Sequence, residues 1–344
     1  MLNQKVKIAL LLNKDMGRRI LHPDDIEFLK TFADIQNLED LPEKMTEDYM
    51  IKAMKGADGC ITGWGTPKLT EAALAEAPNF KILAHSAGTP KAVVTDGVWE
   101  RNAKVFTAAP IIAIDVAETA LGLIICSIKR IFKFNRMTHA GLWKKLNPEV
   151  DREEDRMLRL YRYINIGIIG ASNVGRNLIR MLKPFEADIL LYDPFVDEQK
   201  AAELGVRKVS LEELMSSSDV VTIHAPNLPA TYHMVNRDNL ALMKDGAVLI
   251  NTARGAIVDE AALIEELKKG RIFACLDVTD PEPPAKENEL RNLNNVVLTP
   301  HISGGHTING RYELGHFVVQ ELYSYFTKGV LQYEIKKEMM DFIA

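Results

Sequence analysis

"GIIGASNVGRNL", residues 167–178, decides how the chain is read. An apolar run enters it and an amphipathic run leaves it, which is the setting of a phosphate-binding turn between a strand and a helix. Read as G-x-G-x-x-G, it supplies Gly170 and Gly175 but places Ser172 where the second glycine is expected. Gly170 suits the tight turn and Gly175 the close packing of helix on strand. Ser172 brings a Cβ toward the pyrophosphate, together with a hydroxyl able to donate to it. About 20 residues further on, Asp193 ends the next apolar run, "DILLYD", where a carboxylate accepts hydrogen bonds from the adenine ribose hydroxyls and repels a 2′-phosphate. That favours NAD over NADP.

Outward from this turn, short β-branched runs alternate with helix-period segments in both directions, the pattern of parallel sheets with crossover helices. After it come the strand candidates "DVVTIHA", "AVLINTA", "IFACLDV" and "NVVLTP", with helices at "SLEELMSS", "RDNLALM" and "DEAALIEELKKG". The first third carries its own series, "KVKIALLL", "GCIT", "KILAHS" and "KVFTA", with helices at "PDDIEFLKTF" and "LTEAALAEA", the latter capped by Thr70. Between the two series a long apolar helix candidate precedes a segment rich in both charges, residues 135–162, which reads as a solvated connector or as a subunit-contacting arm. A helix is expected over residues 309–327, and the ending "LQYEIKKEMMDFIA" reads as a packed helix or a frayed tail.

The length of 344 residues fits two domains. A net charge of -5 and the absence of basic blocks give no reason to expect nucleic acid as a partner. Cys60, Cys126 and Cys275 are far apart and lie in apolar stretches, as reduced structural cysteines do. The opening apolar run is too short for a signal sequence. The most apolar helix candidate, near residues 117–131, is interrupted by Glu118 and Ser127 and falls short of the roughly 20 apolar residues of a membrane span. The expectation is a soluble cytoplasmic protein without a membrane or metal partner.

In an open parallel sheet, ligands sit beyond the carboxyl ends of the strands. The polar residues expected there are Asp193, His224 with Pro226, Arg254 in "INTARG", Asp277 and Glu282 in "LDVTDPEPP", and His301 in "LTPH". Each taken singly has an ordinary structural explanation. Together they set an arginine, acids and histidines along one rim.

These motifs, in this order from residue 167 to residue 305, resemble the D-isomer-specific 2-hydroxyacid dehydrogenase family, which includes phosphoglycerate, hydroxypyruvate, glyoxylate and D-lactate dehydrogenases or reductases. The resemblance implies two doubly wound α/β domains, with a Rossmann cofactor domain, residues 109–301, inserted in a discontinuous flavodoxin-like substrate domain, residues 1–108 and 302–344. It implies NAD as cofactor, a small 2-hydroxy or 2-oxo acid as substrate, and a homodimer joined largely through the cofactor domains. Carried over by position, the catalytic residues are Arg254, Glu282 and His301. Cofactor contacts fall on Gly170, Ser172, Asn173, Val174 and Gly175, on Asp193, on Pro226 and Thr231, and on Thr252, Ala253 and Asp277 toward the nicotinamide end. The family's A-G-V-G-x-D loop, whose amides grip the substrate carboxylate, reads "HSAGTPKAV" here, leaving Ala87, Gly88 and Thr89 as its candidates.

In that frame Arg254 binds and polarises the substrate through a planar guanidinium fork, and His301 is the residue type able to exchange a proton near neutral pH, with Glu282 orienting it. A dinucleotide-sensing interaction protein on the same fold, resembling the family's corepressor-like members, is the alternative from another class. Among enzymes, formate dehydrogenase is expected to carry glutamine where Glu282 stands, and phosphite oxidation, which uses a similar triad, stays open.

Overall fold

The computed structural model describes residues 5–343. The chain forms two compact units, one comprising the residues up to Ile112 and from Gly305 onward, the other Ala113–Gly304. The changeovers fall a few residues beyond those expected at 108 and 301, and the first lies inside the continuous helix Ala109–Ile128.

The inserted unit is built on seven strands. Numbered in chain order after the five of the first unit, they are β6 (Asn165–Ile169), β7 (Asp188–Tyr192), β8 (Arg207–Lys208), β9 (Val220–Ile223), β10 (Val248–Asn251), β11 (Phe273–Leu276) and β12 (Val296–Leu298). All pair parallel in the order β12-β11-β10-β9-β6-β7-β8, the doubly wound Rossmann arrangement. Sheets of this kind are covered on both faces, which is why β9, β10 and β11 read as nearly continuous apolar runs, with only Thr222 and Asn251 polar, and are buried at every residue. The two-residue side-chain period then divides each strand between two cores. Val221, Ile223, Leu249, Ala274 and Leu276 enter one cluster, and Val220, Val248, Ile250, Phe273 and Cys275 enter the other.

The flanking unit has β1 (Val6–Leu11), β2 (Ala33–Ile35), β3 (Gly59–Thr62), β4 (Ile82–His85), β5 (Lys104–Thr107) and β13 (Glu334–Ile335), ordered β13-β5-β4-β3-β1-β2. Its first five strands are parallel in the flavodoxin-like order, and β13 adds antiparallel to β5. The last helix runs over Ile308–Lys328, buries Leu314, Val318, Val319 and Leu322 on one stripe, and stops at Gly329 with φ 69°.

The Ala109–Ile128 helix is 20 residues long, so its length alone would allow a membrane crossing, contrary to the shorter candidate read from sequence. Its stripe Ala117, Ala120, Ile124 and Ile128 packs in the same core as Ile166 and Ile168. The charged segment is largely solvent-exposed, as the connector reading expects, but it carries its own secondary structure. It folds into helices Ile131–His139 and Pro148–Glu154, with Glu153 buried and paired to Lys133 at 2.8 Å and to Arg156 at 3.3 Å. The ending forms β13 and then a short 3₁₀ helix, Lys337–Asp341, pinned by Lys337 to Asp96 at 2.6 Å. The three cysteines are free thiols, Cys60 and Cys275 buried, and burial pushes the Cys275 thiol up to about 12.

Candidate active site

The order of the inserted sheet reverses at β6, whose neighbours β7 and β9 lie on opposite sides, so a crevice opens beyond the carboxyl ends of β6 and β9. The glycine turn sits there. Gly170 has φ 94°, and a Cβ on it would lie 2.9 Å from the Ala225 nitrogen and 3.0 Å from the His224 carbonyl carbon. A Cβ on Gly175 would lie 2.1 Å from the Gly170 oxygen. Both glycines are thus required by close approach, and Gly170 also by its left-handed backbone. Ser172 needs neither freedom. It has φ −64° and ψ −177° and is the N-cap of the Asn173–Leu182 helix, accepting from the Gly175 N–H at 3.5 Å. Its hydroxyl hydrogen and the first-turn amides of Asn173 and Val174 are left as donors at a helix N-terminus, a suitable cradle for a pyrophosphate.

Asp193 lies one residue past β7, and its carboxylate accepts from the Ala171 N–H at 2.7 Å and the Phe195 N–H at 2.8 Å. These bonds tie the acid to the turn and leave acceptor sites on both oxygens. Arg176, which the sequence reading missed, donates to the Ala171 carbonyl at 2.7 Å and sets a cation at the same helix start. Thr231 is committed to its own loop, donating to the Pro226 carbonyl at 2.6 Å and accepting from the Leu228 N–H at 2.8 Å. Further along the rim, His224 Nδ1, Thr252 Oγ1 and Ser303 Oγ are buried without a hydrogen-bonding partner. Buried polar atoms without partners point to a ligand that supplies them. Burial pushes the His224 imidazole down to about 3, so it is neutral there. Glycines that admit no Cβ, free first-turn amides and these unpartnered atoms all fit a dinucleotide.

The three expected catalytic residues follow three adjacent strands, β10, β11 and β12. Glu282 Oε1 lies 2.6 Å from His301 Nδ1, with both side chains partly exposed. A carboxylate at Nδ1 places the neutral ring's proton there and leaves Nε2 to face a reacting oxygen. Arg254 is half-buried; burial pushes its guanidinium below the usual value, and the charge of Glu282 opposes that shift. One of its nitrogens donates to the Ala253 carbonyl at 2.7 Å, while Asn251 Nδ2 holds the Arg254 carbonyl at 2.9 Å. Ala253 contributes its backbone, its N–H donating to Asn251 Oδ1 at 3.0 Å. Gly255 brings the loops after β10 and β11 into contact, since a Cβ on it would fall 2.1 Å from the Thr279 carbonyl. Asp277, expected beside the nicotinamide, directs its carboxylate toward Thr299, Ile302 and Ser303 of the His301 loop.

In the flanking unit, Ala87, Gly88 and Thr89 follow β4 and lead into a short turn, Pro90–Ala92, whose Lys91 N–H Thr89 Oγ1 accepts at 3.4 Å. His85, at the end of β4, bonds Thr62 Oγ1 at 2.9 Å, and burial pushes its imidazole down to about 4. Among the described residues, no group of three or more His, Cys, Asp or Glu side chains could hold a metal ion.

Comparison with known proteins gives this geometry a context. Residues 121–303 match the model of the D-isomer specific 2-hydroxyacid dehydrogenase, NAD binding domain. D-3-phosphoglycerate dehydrogenase of Methanocaldococcus jannaschii is 30% identical over 93% of this chain, which spans only 58% of that relative's length. Hydroxypyruvate reductase of Thermotoga maritima is 31% identical, the match covering 90% of this chain and 98% of the relative. The solved structure of apo D-mandelate dehydrogenase from Rhodotorula graminis shares the fold, with a TM-score of 0.77 and 23% identity over 97% of this chain and 98% of that one. A Rossmann unit inserted in a flavodoxin-like one, a glycine turn at its switch point and a matching sequence over most of that unit agree: the chain belongs to the D-isomer-specific 2-hydroxyacid dehydrogenase family.

Proposed function

We propose that the protein is an NAD-dependent dehydrogenase that interconverts a small D-2-hydroxy acid and its 2-oxo acid. The observation that carries this reading is the 2.6 Å pairing of His301 Nδ1 with Glu282, on a rim where the Arg254 guanidinium feels the same carboxylate. A bound nicotinamide supplies or accepts the hydride. Arg254 holds the substrate carboxylate and the adjacent carbonyl oxygen in one plane, which a lysine could not do. In reduction, His301 gives the proton on Nε2 to the oxygen that gains charge, and Glu282 stabilises the imidazolium before that transfer. In oxidation, neutral His301 takes the hydroxyl proton at the same nitrogen.

Asp193 favours NAD, because its carboxylate occupies the region where a 2′-phosphate would sit. The test is NADH and NADPH consumption against pyruvate, glyoxylate, hydroxypyruvate, 3-phosphohydroxypyruvate and branched 2-oxo acids. Turnover with at least one acid is expected, with NADH preferred by about tenfold or more, equivalent to about 1.4 kcal/mol. A preference for NADPH overturns the role of Asp193, and no turnover across the panel overturns the enzymatic reading.

We further propose a homodimer. The loop between the helices Ile131–His139 and Pro148–Glu154 and the bend before β6 leave Trp143, Leu146 and Tyr163 at 57%, 82% and 89% exposure, a concentration of large apolar groups typical of an interface. Sedimentation should give twice the chain mass of 38.5 kDa, and Leu146→Asp should return it to monomer. A monomeric wild type sinks the proposal.

A further inference from the structure

Thr62, His85 and Thr107 stand side by side, in register, at the carboxyl ends of β3, β4 and β5, and each is 3% exposed or less. Polar side chains buried this deeply persist only when they are bonded. Thr62 is the post to which the next segment is tied. Its carbonyl accepts from the Ser86 N–H at 2.8 Å and from the Ser86 hydroxyl at 2.7 Å, and its Oγ1 bonds His85 Nδ1 at 2.9 Å. The imidazole has a second partner in the Thr89 backbone, and because this bond favours the protonated ring it is one the ring donates, to the Thr89 carbonyl. A neutral imidazole has a single N–H, so as it donates to Thr89 it accepts from the Thr62 hydroxyl.

His85 therefore spans the loop that follows β4, from its near end to its far one. Between these anchors the N–H groups of Ala87 and Gly88 meet no acceptor among the described residues, although Ala87 is only 1% exposed. Buried donors without partners point to a ligand that accepts from them, and adjacent backbone amides beyond a strand end suit an anion such as a carboxylate. We infer that His85 is the positioning residue for this loop: bridging Thr62 and Thr89, it sets the Ala87 and Gly88 amides where the carboxylate of the 2-oxo acid accepts from them. His85 itself lies beneath the loop and acts only through it. Leucine would fill the space of the ring and offer neither donor nor acceptor, whereas asparagine would offer both from about the place of Nδ1.

The inference rests on reading the protein as a 2-oxo acid dehydrogenase, and the experiment separates the two. His85→Leu, His85→Asn and Thr62→Val are compared with wild type for KM and kcat on glyoxylate and on a branched 2-oxo acid, and for NADH dissociation constant by fluorescence. His85→Leu is expected to raise KM by about 10- to 100-fold, the scale of one hydrogen bond to a charged group. The factor should be the same for both acids, because the carboxylate is common to them. kcat and NADH affinity should stay within about threefold of wild type, since the carboxylate is held alike in the ground and transition states. His85→Asn should bring KM back to within about threefold of wild type, a rescue that a space-filling role does not predict. Thr62→Val removes the hydroxyl and should raise KM by about 3- to 10-fold, and it serves as the test if His85→Leu does not fold. Wild-type KM in both His85→Leu and Thr62→Val overturns the inference, as does a rise confined to one acid or an asparagine variant no better than leucine. Absence of turnover in the wild type overturns the dehydrogenase reading, and the inference with it.

Discussion

Replacing His301 with alanine is expected to lower kcat by about 10²–10⁴-fold, the contribution of a positioned general acid and base. The NADH dissociation constant should stay within a few-fold, because the glycine turn, the cap at Ser172 and Asp193 all lie at β6 and β7, on the other side of β9 and β10 from the histidine. Glu282→Gln should lower kcat in the same direction but less, since a glutamine still accepts a hydrogen bond from Nδ1 and loses only the charge that stabilises imidazolium. Steady-state kinetics on the best substrate, with NADH binding followed by fluorescence, measures both. If the alanine variant turns over like wild type, the proton comes from elsewhere and the triad has no catalytic role.

Much of this site was legible in the sequence because its parts are local. Gly170, Ser172 and Gly175 lie within six residues of one another, and the fit of serine to the second position follows from a negative φ that the turn already imposes there. The longer strands were legible as mostly apolar runs because burial on both faces keeps polar residues few, such as Thr222 and Asn251 in β9 and β10. What escaped was short or non-local. β2 and β13 have three and two residues, too few for any periodicity to show. The Lys14–Ile20 helix holds Gly17 at its centre and only two apolar residues, Met16 and Ile20, among its seven, so neither propensity nor pattern marks it. The partners of Asp277 stand 22 to 26 residues away, across a strand pairing that only the folded sheet supplies. Thr231 was marked by position alone, and what the fold adds is that its hydroxyl closes the loop on which it stands.

Gly255→Ala is expected to lower kcat/KM by about 10²-fold although the residue carries no functional group. The glycine does not owe its place to an unusual backbone, for the strain is entirely one of space: an added Cβ would meet the Thr279 carbonyl carbon and oxygen at 2.1 Å and the Asp280 nitrogen at 2.6 Å. Those atoms are backbone, so no rotamer change relieves the clash, and the loops after β10 and β11 must part. Arg254 precedes the glycine on one loop and Glu282 follows Asp280 on the other, so a displacement of about 1 Å separates the guanidinium from the carboxylate that orients His301. Overpacking of this kind also costs about 1–3 kcal/mol of stability, which a thermal melt would record. Gly122→Ala is the matched control. It lies within the Ala109–Ile128 helix with nothing inside 4 Å of the added carbon, so it should gain about 0.5–1 kcal/mol and leave kinetics unchanged. Wild-type kcat/KM in Gly255→Ala would mean that loop contact does not set the alignment of arginine, glutamate and histidine, and that each residue is held by its own strand end alone.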